Sequence, residues 1–224
     1  MLQKDLNELE KSAVVANCRM NRERDLAGSN GYGIDLRFEP LEFLSQVSSG
    51  TWLDLCCGSG KALIQAAEIS QDQNLSINIT GVDLVDMFLP SDKSISNLDL
   101  VAASLSTWAP TSRFDLITCV HGLHYIGDKV DLLLRARSWL KPGGKFAANL
   151  DLENIKCEST GGSKRILKWL CDNGFEYSKQ HHLITCGPAN ASATTEFKFI
   201  GADDQAGPNY TGQPAVNSYY RFQA

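Results

Sequence analysis

The sequence predicts an α/β fold built on a doubly wound, mostly parallel sheet of seven strands, one of them antiparallel. Three observations predict it. Short apolar runs alternate with amphipathic runs along the middle of the chain, which is the rhythm of βα units. A loop containing glycines joins the first apolar run to the first amphipathic run. The last two apolar runs are separated only by a short turn, and strands joined without a helix pair in antiparallel fashion.

The first half of this pattern contains four apolar strands and one helix. The helix covers residues 61–70, where Leu63, Ile64 and Ala67 recur with helical spacing. Val, Ile and Thr are common in several of the runs and favour strands. The predicted strands cover residues 51–55, 77–82, 98–103 and 114–120.

The second half adds two helices and three strands. Pro142 and the pair Gly143-Gly144 end a helix over residues 128–140 and turn the chain into the next strand. Gly174 ends the other helix. The predicted elements are the helices 128–140 and 163–173 and the strands 145–150, 181–186 and 194–200.

The whole chain, residues 1–224, is expected to form one domain. Residues 50–200 hold the predicted strands and form its core. Residues 1–49 read as a helical N-terminal cap, and residues 201–224, rich in Gly, Pro, Asn and Tyr, as a C-terminal lid or tail.

The composition of the chain disfavours several classes of binding partner and location. The net charge of −5 counts against nucleic acid, which needs a concentrated cationic face. No apolar stretch reaches the length of a membrane span, and the N-terminus lacks a signal-type apolar region. The seven cysteines show no zinc-ligand spacing, so we expect no metal and a reducing cytoplasmic location. We expect the partner to be a small molecule, and the protein to be a monomer or a homodimer.

The glycine loop Cys56-Cys57-Gly58-Ser59-Gly60 can be compared with two phosphate-binding motifs. A P-loop requires Gly where Leu55 stands and Ser or Thr where Ala62 stands. A dinucleotide fingerprint requires Gly where Leu63 stands. Both interpretations are therefore disfavoured, although a plain strand-to-helix turn remains an alternative.

Three segments, WLDLCCGSGKAL, FDLITCVHGLHYI and LKPGGKFAANLD, resemble in order motif I, motif IV and the post-helix turn of class I methyltransferases that use S-adenosylmethionine (SAM). The resemblance covers about residues 50–152 and is to the small-molecule type. It implies SAM as the cofactor, S-adenosylhomocysteine (SAH) as its product, and methyl transfer to N or O of a small, specialised-metabolite or amino-acid-derived acceptor.

The resemblance also implies which residues bind SAM. Asp54 would lie near the amino group, Gly58 and Gly60 under the methionine portion, and Cys56 at the place of a usual glycine. Asp83 would bind the ribose, and Ser104 and Leu105 the adenine, although Ser104 stands where the family often has an acid. The remaining expected cofactor contacts are Leu84, Val120 and Tyr32.

Three residues after the fourth and fifth strands are candidates for the catalytic base: His121, His124 and Asp151. Ligands of doubly wound sheets bind beyond the carboxyl ends of the strands, and an imidazole titrates near neutral pH. Four alternatives stay open at this point: a non-catalytic SAM-binding scaffold in a biosynthetic complex, a peptide or carrier-bound acceptor, an NAD-dependent oxidoreductase, and a structural role for the histidines.

Overall fold

The computed structural model describes residues 5–16, 23–90, 95–158, 161–189, 195–207 and 209–223. Strands are numbered in chain order. They are β1 (Gly50–Leu55), β2 (Ile77–Asp83), β3 (Leu98–Ala102), β4 (Phe114–Cys119), β5 (Leu140–Asn149), β6 (Ile155–Cys157), β7 (Phe175–Ser178), β8 (Leu183–Cys186), β9 (Phe197–Ala206) and β10 (Ala215–Phe222).

The α-helices are numbered in the same way. They are α1 (Leu6–Glu10), α2 (Ala13–Ala16), α3 (Tyr32–Leu36), α4 (Pro40–Ser45), α5 (Lys61–Asp72), α6 (Lys129–Ser138) and α7 (Gly162–Asp172). Short 3-10 helices cover Gly122–Tyr125 and Leu152–Asn154.

The central sheet has seven strands in the order β3-β2-β1-β4-β5-β8-β7. Strands β1 to β5 are parallel, and β8 is antiparallel to both of its neighbours. The predicted fold class is therefore confirmed. The chain order reverses between β1 and β4, and such a switch point opens a crevice at the carboxyl ends of the strands.

The identity of the last two strands of this sheet differs from the prediction. The pair consists of β7 and β8, with Phe175 opposite Cys186, rather than of the predicted strands 181–186 and 194–200. The predicted strand at 194 begins instead at Phe197 and belongs to another sheet; residue 194 lies outside the described residues. Strand β7 escapes prediction because it has only four residues, FEYS, directly after a helix-ending glycine.

A second sheet of three strands has the order β6-β10-β9. Strand β9 runs ten residues through the predicted boundary at residue 200. The described part of the segment 201–224 is therefore mostly sheet rather than a separate tail, and the connection 207–214, of which residue 208 lies outside the described residues, joins β9 to β10. The second part of β9 was missed because Gly201, Asp203 and Asp204 interrupt its apolar pattern.

The second sheet is joined to the first through Lys129, the first residue of α6, whose side chain is buried. Its Nζ lies within hydrogen-bond distance of the carbonyl oxygens of Ile126 (2.9 Å) and Val216 (2.7 Å) and of Ser218 Oγ (3.0 Å). These contacts hold α6 and β10 together. The second sheet thereby lies beside the carboxyl ends of the central strands.

The N-terminal helices pack onto this second sheet. Leu9 of α1 and Val15, in α2, form a small apolar cluster with Ala202 and Val216. Gly127 leaves room for α1, since a Cβ atom there would lie 2.4 Å from Leu6 Cδ2. Within the described part of residues 1–49 lie the four short helices α1 to α4, and α1 lies over the switch point.

Candidate cofactor and active site

The glycine loop turns from β1 into α5 through three residues in the left-handed region. Cys56, Gly58 and Gly60 have φ values of 58°, 62° and 73°. Glycine adopts this conformation freely, whereas a side chain costs about 1 kcal/mol. The backbone N–H of Gly58 donates to Asp83 Oδ2 at 2.9 Å. The loop is therefore fixed to the carboxyl end of β2.

The side chain of Cys56 fits at this left-handed position, which favours glycine, because Gly122 beside it lacks a side chain. A Cβ atom on Gly122 would lie 2.4 Å from Cys56 Cβ and 2.8 Å from Cys119 Sγ. The hydrogen bond with Cys119 and burial raise the pKa of the Cys56 thiol, so it stays protonated. Cys56 thus packs as a small, partly buried group on one wall of the crevice.

Asp54 lies behind the loop and is fully buried. Its Oδ2 accepts a 2.7 Å hydrogen bond from the Tyr32 hydroxyl, and its Oδ1 accepts one from Thr118 Oγ1. Burial raises the pKa of Asp54 to about 7, with a smaller contribution from Asp83, although both hydrogen bonds oppose the rise. Asp54 and Tyr32 therefore brace β1, β4 and α3 from within.

A cleft opens at the switch point. Seven predicted site residues line it: Cys56, Gly58, Asp83, Leu84, Leu105, Val120 and His121. The cap contributes Leu6, Leu9, Glu10 and Val15. Six other predicted residues do not line this cleft: Tyr32, Asp54, Gly60, Ser104, His124 and Asp151.

Ser104 contacts the cap instead of facing the cleft. Its hydroxyl donates a 2.6 Å hydrogen bond to Glu10 Oε1 on α1. Glu10 itself lines the cleft, and sequence reasoning missed it. No sequence signal links these two residues, because a contact between distant segments leaves no periodicity to detect.

His121 follows β4 and lies where the cleft meets a polar region under the loop 207–214. Its backbone, at φ 56°, donates to Asn149 Oδ1 at 3.2 Å. Its Nε2 lies 3.1 Å from Asp35 Oδ1, a contact distance without the alignment of a full hydrogen bond. Its Nδ1 lies 3.3 Å from the Tyr210 hydroxyl. Both imidazole nitrogens therefore face protein groups.

Asp35, on α3, was not predicted as a site residue. It forms an ion pair with Arg24 Nη1. Burial acts to raise the pKa of Asp35, but contacts with His121, Arg24 and Arg37 outweigh burial and lower it. Asp35 is therefore ionised at neutral pH, and its carboxylate lies beside His121 Nε2.

The other two base candidates are placed less favourably. His124 is fully buried, neither of its ring nitrogens has a hydrogen-bond partner, and burial lowers its pKa well below the usual value. Asp151 caps the 3-10 helix by accepting from the Glu153 N–H at 2.9 Å, and its other oxygen accepts from the Tyr210 N–H at 3.3 Å. Of the three, only His121 reaches the cleft.

The cleft suits a ligand like SAM. A carboxylate, Asp83, faces it from the end of β2, where ribose hydroxyls can bind, and the left-handed glycine loop allows close approach of the backbone. Leu84, Ala103 and Leu105 supply apolar walls for a flat base. Within the described residues, no cluster of three or more His, Cys, Asp or Glu side chains could hold a metal ion. None of the described helices is both long and apolar enough to cross a membrane.

The strand order, the crevice and the glycine loop together define the fold of a class I, SAM-dependent methyltransferase. Comparison with known families agrees, because residues 30–181 match the family described as "Methyltransferase domain". The chain belongs to this family.

Three curated relatives are similar over part of the chain. The ubiquinone biosynthesis O-methyltransferase of Saccharophagus degradans is 25% identical over 156 residues, which is 64% of this chain and 62% of that protein. The demethylmenaquinone methyltransferase of Listeria monocytogenes is 28% identical over 113 residues, or 46% of each chain. The chain spans about half the length of such relatives. Among solved structures, the DhpI–SAH complex is 20% identical, has a TM-score of 0.46, and covers 67% of this chain and 83% of that one.

Proposed function

We propose that the protein transfers a methyl group from SAM to a nitrogen or oxygen atom of a small-molecule acceptor, with His121 as the base. The observation that carries the proposal is that Asp83, the glycine loop and His121 line one cleft. When bound, SAM supplies a methyl group on a positively charged sulfur, so that a bond from the acceptor to carbon forms as the sulfur–carbon bond breaks and its electron pair returns to sulfur.

The residues of the chain would hold and orient the cofactor. Asp83 is positioned to accept hydrogen bonds from ribose hydroxyls, while the Gly58 N–H fixes its carboxylate. Leu84, Leu105 and Val120 would contact the apolar parts of the ligand. Tyr32, Asp54, Gly60 and Ser104 would act from behind the wall, by fixing the loop and the cap.

His121 would accept the proton that the acceptor loses. The Asp35 carboxylate favours the tautomer protonated at Nε2, which leaves Nδ1 as the nitrogen that accepts. A positioned general base typically accelerates a reaction by about 10²–10⁴-fold. His124 and Asp151 would shape the acceptor side of the site rather than take the proton.

An acceptor oxygen is favoured over nitrogen by the need for a base, since a neutral amine can react without one. Two of the curated relatives are named as O-methyltransferases, which supports the same choice. The net charge of −5 favours a small-molecule acceptor over a nucleic acid.

SAH titration of three proteins tests the cofactor. We expect micromolar SAH binding by the native protein, binding at least tenfold weaker for Asp83→Ala, and unchanged binding for Asp99→Ala, whose side chain is exposed on the neighbouring strand. No SAH binding by the native protein at high micromolar concentration would exclude the proposal. So would full affinity in Asp83→Ala.

A further inference from the structure

Tyr210 lies in the loop between β9 and β10 and reaches across to His121. Its hydroxyl is 3.3 Å from His121 Nδ1, the nitrogen that the Asp35 carboxylate leaves free to accept a proton. The phenol group of Tyr210 therefore lies beside His121, the proposed base. The residue keeps 39% of its surface exposed.

Histidine rings surround the Tyr210 ring. The His182 ring stacks on it with a centroid separation of 3.9 Å and an interplanar angle of 9°. The His124 ring meets it edge-on at 5.2 Å, and the His121 ring lies tilted at 6.0 Å. Such walls bind a flat ring through offset stacking and edge contacts.

Polar atoms of two of these histidines have no partner. His124 Nδ1 and Nε2 and His182 Nδ1 are buried without a hydrogen-bond partner. Buried polar atoms in folded proteins are nearly always paired. Tyrosine has one polar atom, which contacts His121, and cannot satisfy the others. The surroundings therefore fit a ring with more polar substituents than Tyr210 carries.

The backbone of Tyr210 is held by a long hydrogen bond. Its backbone N–H donates to Asp151 Oδ2 at a long 3.3 Å. The neighbouring turn is fixed independently, because Asn209 Oδ1 accepts hydrogen bonds from the Thr211 N–H and hydroxyl. The ring can thus leave without unfolding the loop.

We propose that Tyr210 occupies the acceptor's place, and that the acceptor is a planar hydroxylated ring that stacks on His182 with its hydroxyl on His121 Nδ1. This inference rests on the proposed function. The acceptor displaces the Tyr210 ring. Its hydroxyl proton passes to Nδ1 as the oxygen–methyl bond forms and the methyl–sulfur bond breaks with its electron pair on sulfur, and the proton then leaves to solvent.

The test measures binding of 4-nitrophenol to the SAH-saturated protein in a buffer more acidic than the pKa of this phenol, so that its hydroxyl keeps its proton, with nitrobenzene as the matched ring that lacks the hydroxyl. Tyr210→Ala is expected to bind 4-nitrophenol at least tenfold more tightly than the native protein. Tyr210→Phe keeps the ring on His182 and is expected to bind as weakly as the native protein. Adding His121→Gln to Tyr210→Ala should weaken 4-nitrophenol binding at least fivefold and leave nitrobenzene binding unchanged.

Three results would overturn the inference: no gain in Tyr210→Ala, equal gains in Tyr210→Ala and Tyr210→Phe, or no effect of His121→Gln. SAH affinity, measured first for each variant, separates this inference from the proposed function. If SAH binds normally and 4-nitrophenol shows no gain, only the role of Tyr210 fails. If SAH does not bind the native protein, the proposed function fails.

Discussion

At the scale of single residues, the cofactor loop accommodates the side chain of Cys56 because a second position, Gly122, has no side chain. Cys56 stands in a left-handed conformation that favours glycine, and Gly122 stands where a side chain would collide with it. The sequence shows the departure at Cys56. The compensating glycine lies on the loop after β4, so only the structure relates the two.

Gly122→Ala is expected to destabilise the protein by about 1–3 kcal/mol, because the new methyl group would lie 2.4 Å from Cys56 Cβ. Urea unfolding measures the change. Adding Cys56→Gly to this variant removes the colliding atom and should recover part of the loss. Strictly additive effects of the two substitutions would contradict a direct collision.

Asp54 gives the unfolding free energy a defined dependence on pH. Its pKa is about 7 in the folded protein, because of burial, against an ordinary value of 3.8. The folded state therefore binds more protons than the unfolded state between these values, and stability falls as pH rises from about 4 to about 7. In Asp54→Asn this contribution is absent.

Relative to Asp54→Asn, the native protein should lose about 1 kcal/mol or more of its unfolding free energy as the pH rises from 5 to 7. It should then stay level from pH 8 to pH 9. Urea unfolding without SAH, at each pH, measures it. A constant difference from pH 5 to pH 7 would show that Asp54 is ionised throughout.

Motif residues and contact partners differ in how far the sequence predicts them. The cleft positions of Cys56 and Gly58 follow from one short loop, and that of Asp83 follows from its place at the end of the next parallel strand. Asp35 and Tyr210 meet His121 from segments far away in sequence. Such contacts depend on tertiary packing, and no local pattern encodes them.

At the scale of elements, long buried strands are the easiest to predict. Strands β1, β2 and β4 are apolar runs covered on both faces, and their predicted bounds differ from the observed ones by one residue at most. Strand β7 is short and lies at the sheet edge. Strands β9 and β10 carry polar side chains inward, such as Asp203, which accepts from Asn217 and Tyr219, so their apolar alternation is broken.

The contribution of Lys129, which joins α6 to β10, to the unfolding free energy should change with pH in the opposite direction to that of Asp54. Burial lowers the pKa of Lys129 to about 7 from 10.5, although Asp128, Asp151 and Asp203 oppose the shift. The unfolded chain then binds more protons between these values. The contribution of Lys129 to stability is therefore lost as pH falls through about 7, and grows as pH rises towards 10.5.

Lys129→Met should remove this dependence. The native protein is expected to gain about 1 kcal/mol or more over Lys129→Met between pH 7 and pH 9, as measured by urea unfolding. Lys168→Met, on the exposed surface of α7, is the matched control and should show no such trend. Parallel pH profiles for native protein and Lys129→Met would mean that Lys129 remains charged in the folded state.

At the scale of the whole molecule, the cleft is closed by parts that lie outside the central sheet. The cap helix α1 contributes Leu6, Leu9 and Glu10 to the cleft, and it packs on the second sheet. A ligand in the cleft would thus contact the central sheet and the cap together. Ligand binding and the folding of the cap should be coupled, because opening of α1 would remove part of the binding wall.

Hydrogen exchange of residues 5–16 is expected to slow on addition of SAH, by up to about 100-fold at 100 times the dissociation constant, if opening of α1 abolishes binding. Exchange in α7 should not change, because none of the residues of this helix lines the cleft. Glu10→Ala loses the hydrogen bond to Ser104 and should weaken SAH-induced protection, whereas Glu8→Ala, on the exposed side of α1, should not. Mass spectrometry of peptides from the cap measures all three proteins. Unchanged exchange of residues 5–16 at saturating SAH would show that the cap lies over the site without closing on the ligand.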